Sequence, residues 1–202
     1  MRAGRLVFLC ALACFLAACG RAPLHQQQAF VFGTRVEVLI AGLSEAAARP
    51  AAAAVLREFD RLHRSYHAWQ PSELSRLNQA LAAGRSSTVT SEMADLLADA
   101  QRFSLLGDGL FDPGIGALIA LWGFQSDEMP ATLPAASALA AWRAAPAGIA
   151  DLQLDELQVS SRNTRLALDF GGYLKGVALD RAAGILKAQG VHNALINIGG
   201  NV

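Results

Sequence analysis

Two short segments hold the residues best suited to chemistry: Gly109-Leu110-Phe111-Asp112-Pro113-Gly114-Ile115-Gly116 and Leu168-Asp169-Phe170-Gly171-Gly172-Tyr173-Leu174-Lys175-Gly176. Each sets a carboxylate at the end of an apolar run and follows it with glycines before a helix-like stretch. Glycines let main chain approach a ligand and leave N–H groups free, and a helix start favours negative charge. The aspartate adds an acceptor or a metal ligand beside that surface. The layout suits a phosphorylated, nucleotide-like ligand. Either segment alone also reads as an Asp-Gly turn that starts a helix.

Further motifs accompany them in a fixed order. Upstream stand Phe32-Gly33-Thr34, Ser65-Tyr66 and Ser72-Glu73-Leu74-Ser75-Arg76-Leu77-Asn78. Downstream, the second segment runs on to Ala178-Leu179-Asp180-Arg181, and the chain closes on Asn197-Ile198-Gly199-Gly200-Asn201-Val202. From about residue 30 to residue 202 this series closely resembles the ApbE family, the FAD:protein FMN transferases.

That resemblance implies an α+β fold, a mixed sheet with flanking helices in a T-fold-related domain, here incomplete. It implies binding of FAD with Mg²⁺ and transfer of FMN to a threonine or serine of a flavin-accepting subunit of a membrane redox complex, with release of AMP. Residue by residue, Phe32 matches the usual Met before Gly-Thr, and Tyr66 an aromatic beside the flavin. Leu110, Phe111 and Asp112 match a three-residue FAD contact, Asp169 an adenosine-side or metal-side carboxylate, and Lys175 an orienting contact. Gly172 matches a position whose main-chain oxygen binds Mg²⁺. Family enzymes carry further Mg²⁺ ligands nearer the C-terminus that have no counterpart before Val202. The expectation is therefore a truncated piece, inactive alone. The alternatives are a non-catalytic FAD-binding lipoprotein and an FAD pyrophosphatase. The catalytic base is not assigned.

The N-terminus reads as a leader. Arg2 and Arg5 precede an apolar run from Leu6 to Ala18 that is too short for a comfortable membrane span. It ends Leu16-Ala17-Ala18-Cys19, which resembles a lipobox, so Cys19 is the expected lipidation site. Residues 1–18 are expected to form the signal, 19–28 a tether and 29–202 the domain, held by lipid at the periplasmic face of the bacterial inner membrane, with the outer membrane as the alternative. Removing residues 1–18 from 202 leaves 184, enough for one domain with a substantial core. Losing Arg2 and Arg5 turns 17 basic against 17 acidic residues into 15 against 17, without the basic footprint of a nucleic-acid binder. Cys10 and Cys14 leave with the signal, so no intramolecular disulfide is possible.

Elements must then position the two segments. Phe30 to Ile40 alternates with period two and predicts one strand. Ser44 predicts the N-cap of a helix reaching His63, kinked or started late at Pro50. A short helix is expected over Ser72–Leu81. A longer one, capped at Thr90 or Ser91, is expected to bury Met93, Leu96, Leu97, Ala100 and Phe103. The alanine-rich stretch gives a helix near Ala135–Ala144. Leu152–Leu154, Leu157–Val159 and Arg165–Asp169 predict strands. Leu174–Gln189 is the clearest helix, stopped by Gly190, and Ala194–Ile198 is a strand. At Gly172 the pattern suggests a turn with positive φ. His63 and His67, four apart, could share a helix face but form no metal spacing. Trp69, Trp122 and Trp142 read as packing residues. No nucleophile elbow or phosphate loop is present.

Overall fold

The computed structural model describes residues 22–126 and 132–200. Residues 1–21, which include the expected signal and Cys19, and residues 127–131 and 201–202 lie outside the described residues. The chain is α+β, built on two small antiparallel sheets. In the first, β1 (Leu24–Val31) pairs with β2 (Thr34–Ala41), and β2 with β6 (Ala194–Ile198). In the second, β5 (Gln158–Ser161) lies between β3 (Ser87–Thr88) and β4 (Leu152–Asp155). Among the described residues the parallel pairing is one isolated bridge, Ile115 to Ala167.

The expected single strand over Phe30–Ile40 is instead a hairpin, because Val31 faces Thr34 across a two-residue turn. Phe32 and Gly33 both take positive φ, 56° and 69°, the conformation such a tight turn needs to match strand twist. Phe-Gly is not the usual Asn-Gly signal, and Phe in the left-handed region is strained, so alternation alone could not reveal the turn. The expected tether is also corrected in part. Leu24–Gln28 belongs to β1, where its backbone pairs with β2 although its side chains carry no apolar pattern.

Helix α1 (Glu45–Ser65) is continuous through Pro50 and lays Ala48, Ala52, Val55, Phe59 and Leu62 along one buried stripe. That i, i+4, i+7 spacing drives α1 onto Val36, Val38 and Ile40 of β2. Burial of Phe59 alone is worth about 1.5–3 kcal/mol. Helix α2 (Glu73–Ala82) starts in a capping box in which the Ser72 hydroxyl accepts the Ser75 N–H and the Ser75 hydroxyl accepts the Ser72 N–H, both at 2.9 Å. Helix α3 (Ser91–Leu106) is capped by Thr90 as expected, but Phe103 is exposed rather than part of the buried face. Two shorter helices, α4 (Gly116–Leu121) and α5 (Ala136–Ala144), and a 3₁₀ turn at Ile149–Asp151 complete the middle.

Helix α6 (Tyr173–Ala188) packs along α1 and buries Leu174, Ala178, Ala182 and Leu186. Gly190 ends it with φ 71°, and the Val191 N–H returns to the Leu186 carbonyl at 3.0 Å, satisfying a terminal acceptor. Arg165–Asp169 is not a strand. Arg165 lies in a turn, and Leu166–Asp169 has only the Ala167 bridge, since side-chain and loop partners take its main-chain groups. No helix among the described residues is long and apolar enough to cross a membrane.

Candidate functional site

The two aspartate–glycine segments, 57 residues apart in sequence between Asp112 and Asp169, lie side by side. The Gly116 N–H donates to the Ala167 carbonyl and the Asp169 N–H to the Pro113 carbonyl, both at 2.8 Å. Asn78 of α2 completes the arrangement. Its Oδ1 accepts the Leu168 N–H at 2.8 Å, and its Nδ2 donates to the Leu168 carbonyl at 2.9 Å. One side chain thus imitates a neighbouring strand and fixes the backbone immediately before Asp169.

Gly114 and Gly116 of the first segment serve this packing. A Cβ on Gly116 would lie 2.6 Å from the Ala167 carbonyl oxygen, and one on Gly114 would lie 2.3 Å from the Ile149 nitrogen. Asp112 is turned inward to the same end: its Oδ1 accepts N–H groups of Gly114 at 2.7 Å and Ile149 at 2.9 Å. Asp169 is arranged differently. Its Oδ1 accepts the Gly171 N–H at 2.8 Å in an exposed turn, and the residue faces a cavity.

That cavity, of about 220 Å³, gathers Phe32 from the hairpin, Tyr66 from the end of α1, and Asp169, Gly171 and Leu174 from the start of α6. Three of the residues expected from sequence therefore meet: Phe32, Tyr66 and Asp169. Phe111 stands behind them, joined through a file of rings. Tyr66 contacts Phe170, Phe170 contacts Tyr173, and Tyr173 contacts Phe111, with centroids 6.3, 5.6 and 5.8 Å apart. Leu110 lies outside the cavity lining and is 95 % exposed, after Asp108 and Gly109, which both take positive φ. Lys175 is half-buried in the first turn of α6 and also lies outside the lining.

Gly172 is exposed with φ −78°, so the expected positive-φ turn is absent; it occupies the N-cap of α6 in an ordinary helical conformation. The glycines with positive φ nearest in type are at true turns, such as Gly33 and Gly190.

Sequence reasoning passed over His63, His67, Trp69 and Gln70, which line the same cavity. Trp69, read as packing, is 43 % exposed at a loop and not in the core. His63 and His67 do not share a helix, because α1 ends at Ser65, yet their rings come within 5.0 Å. His63 also meets the edge of Phe32 at 5.7 Å. Burial holds the His63 imidazole below its ordinary pKa, with Asp60 opposing the shift. The sequence signals for this group were its clustering within eight residues of the chain and the spacing of the two histidines.

Behind Tyr66 lies a network of charge that ties three helices. Arg61 of α1 holds Glu92 of α3 at 2.7 and 2.9 Å and Glu58 at 2.8 Å, while Arg181 of α6 binds both Glu58 and Glu92. Arg61 is the main cause that holds the Glu92 carboxyl at about 2, well below its usual range. The Tyr66 hydroxyl is buried without a well-formed hydrogen bond. Burial, and then Glu92 beside it, push the phenol well above its ordinary range. Tyr66 is 3 % exposed and acts as a neutral wall of the cavity.

Among the described residues no three His, Cys, Asp or Glu side chains converge as a metal site. Mg²⁺ commonly uses one or two carboxylates and takes its other oxygens from water and phosphate. Asp169, on the cavity lining, offers one carboxylate for that mode.

The ApbE family model matches residues 32–202. A FAD:protein FMN transferase of Rhodobacter capsulatus is 39% identical over 181 residues, covering 90% of this chain and 35% of its own length. One from Klebsiella pneumoniae is 31% identical over 178 residues, covering 83% of this chain and 49% of its own. The flavin transferase ApbE from Vibrio cholerae superposes with a TM-score of 0.76 at 26% identity, over 89% of this chain and 58% of that one. The ApbE protein from Thermotoga maritima gives 0.77 at 26% identity, over 88% and 57%. The chain thus spans between a third and a half of these two curated relatives and under two thirds of the solved structures. With the family's model matched over residues 32–202, this protein belongs to the ApbE family.

Proposed function

We propose that the cavity holds the ring end of FAD and that the whole protein transfers FMN from FAD to a threonine or serine of a partner protein. The observation that carries this reading is the convergence of Phe32, Tyr66 and Asp169 on one cavity, with Trp69 on its lining. Its volume of about 220 Å³ is below the roughly 300–1,000 Å³ that enclose a whole drug-sized ligand. It therefore suits one ring system, with the pyrophosphate and adenosine lying across the adjoining surface.

In this reading Phe32, Tyr66 and Trp69 supply apolar and aromatic surface for the flavin and exclude water from its face. Asp169, fixed through Leu168 by Asn78 and through its own N–H by Pro113, presents a carboxylate oxygen toward the phosphate end. Mg²⁺, held by Asp169 and a main-chain oxygen at Gly172 together with ligand phosphates, would neutralise charge on the pyrophosphate. A bond forms between the acceptor hydroxyl oxygen and the flavin-side phosphorus. The bond from that phosphorus to the bridging oxygen breaks, AMP leaves, and the hydroxyl proton is released to solvent. The acceptor fits a flavin-carrying subunit of a membrane redox complex, because a lipid on Cys19 would hold the enzyme at the periplasmic face of the same membrane.

The test is incubation of the full-length protein with FAD, Mg²⁺ and a flavin-accepting subunit, read by in-gel flavin fluorescence and by AMP formation. A fluorescent acceptor band with AMP in equal amount is expected. AMP and free FMN without a labelled band would indicate a pyrophosphatase, and FAD binding with neither product a carrier. For the anchor, Cys19→Ser is expected to give soluble or unprocessed protein; processed protein that stays with membranes would refute lipidation.

A further inference from the structure

The loop between α1 and α2 is organised around one side chain, His67. The His67 carbonyl accepts the Ser72 hydroxyl at 2.6 Å, which ties the loop to the capping box of α2. Its Nδ1 accepts the backbone N–H groups of Gln70 at 3.2 Å and Trp69 at 3.4 Å. Both donors point at Nδ1, so that nitrogen carries no proton and the imidazole holds its hydrogen on Nε2. The same ring stands edge-on to the Trp69 indole, with centroids 4.5 Å apart and planes at 83°. Its other neighbour is His63, which in turn abuts Phe32.

We propose that His67 is a positioning residue, fixing Trp69 at the cavity so that the indole forms a preset wall for the ring end of the ligand. The inference deepens the flavin reading and rests on it. An indole 43 % exposed on a loop has little packing to choose its place. Two main-chain hydrogen bonds and a ring contact to one imidazole supply what packing does not. Ligand binding then avoids the cost of ordering the loop.

The test uses two variants of the full-length protein. His67→Phe keeps ring area but removes the acceptor, and His67→Asn places an oxygen near the position of Nδ1. FAD affinity is read by quenching of flavin fluorescence. Separately, in a Trp122→Phe, Trp142→Phe background without ligand, acrylamide quenching reads the exposure of Trp69. His67→Phe is expected to weaken FAD binding about tenfold and to raise quenching of Trp69, and His67→Asn to recover most of both. Unchanged quenching in His67→Phe, or an Asn variant as impaired as the Phe variant, overturns the proposal. If the unmutated protein binds no FAD, the flavin reading fails, and the ligand-free quenching still decides the role of His67. If His67→Phe does not fold, amide exchange in the unmutated protein decides. Protected Trp69 and Gln70 amides support the proposal, and exchange at the open-chain rate overturns it.

Discussion

Asn78 offers the sharpest perturbation of the frame that holds Asp169. Both ends of its amide bond the main chain of Leu168, at 2.8 and 2.9 Å, and Leu168 is fully buried. In Asn78→Ala, the Leu168 N–H and carbonyl lose their partner at a partly buried position. A buried donor or acceptor without a partner costs about 1–3 kcal/mol, so two give about 2–6 kcal/mol before relaxation. Alanine is the better helix former by up to about 0.7 kcal/mol, which offsets a minor part of the loss in α2. With partial relaxation the expected loss of unfolding free energy is about 2–4 kcal/mol. Asn78→Asp should do no better, since it keeps an acceptor for the N–H but sets a carboxylate against the Leu168 carbonyl. The assay is urea unfolding followed by circular dichroism, with Gln79→Ala on the exposed side of the same helix as control, expected within about 0.5 kcal/mol. Amide exchange at Leu168 should accelerate in the Ala variant, and flavin affinity should fall with it. A loss below about 0.5 kcal/mol, with Leu168 still protected, would refute the reasoning.

Asp169→Asn retains an oxygen for the Gly171 N–H, and should leave the melting temperature nearly unchanged while weakening FAD–Mg²⁺ binding or transfer at least tenfold, about 1.4 kcal/mol; isothermal titration checks it. Gly116→Ala forces a methyl to 2.6 Å from the Ala167 carbonyl oxygen, and denaturant unfolding should show a loss of about 1–3 kcal/mol. Glu92 has a folded pKa of about 2 against an ordinary 4.5, so its contribution is present above pH 4.5 and lost as pH falls toward 2. Glu92→Gln should flatten that part of the acid-unfolding profile. For His63 the shift also runs downward, from 6.5, so folding weakens as pH drops below that value and protonation sets in. His63→Phe should remove this dependence in unfolding midpoints measured from pH 7 to pH 5.

The helices were legible from sequence because their determinants are local. The stripe on α1, the Ser72 and Thr90 caps and the Gly190 stop all act within a few residues of themselves. The ordered motifs likewise sufficed for the family, and three of their residues, Phe32, Tyr66 and Asp169, line one cavity. Tertiary structure decided the rest, since the partners are distant. Leu24–Gln28 is a strand only because β2 offers its edge, and Leu166–Asp169 forms no ladder because Asn78 and Pro113 take the main-chain groups of Leu168 and Asp169. Asp112 and Asp169 look alike in sequence, but one faces the Gly114 and Ile149 amides while the other faces a cavity. Tyr66 and Trp69, three residues apart, differ in burial, 3 % against 43 % exposed, because Tyr66 packs on Phe170 at the start of α6 while Trp69 stands on the loop against His67.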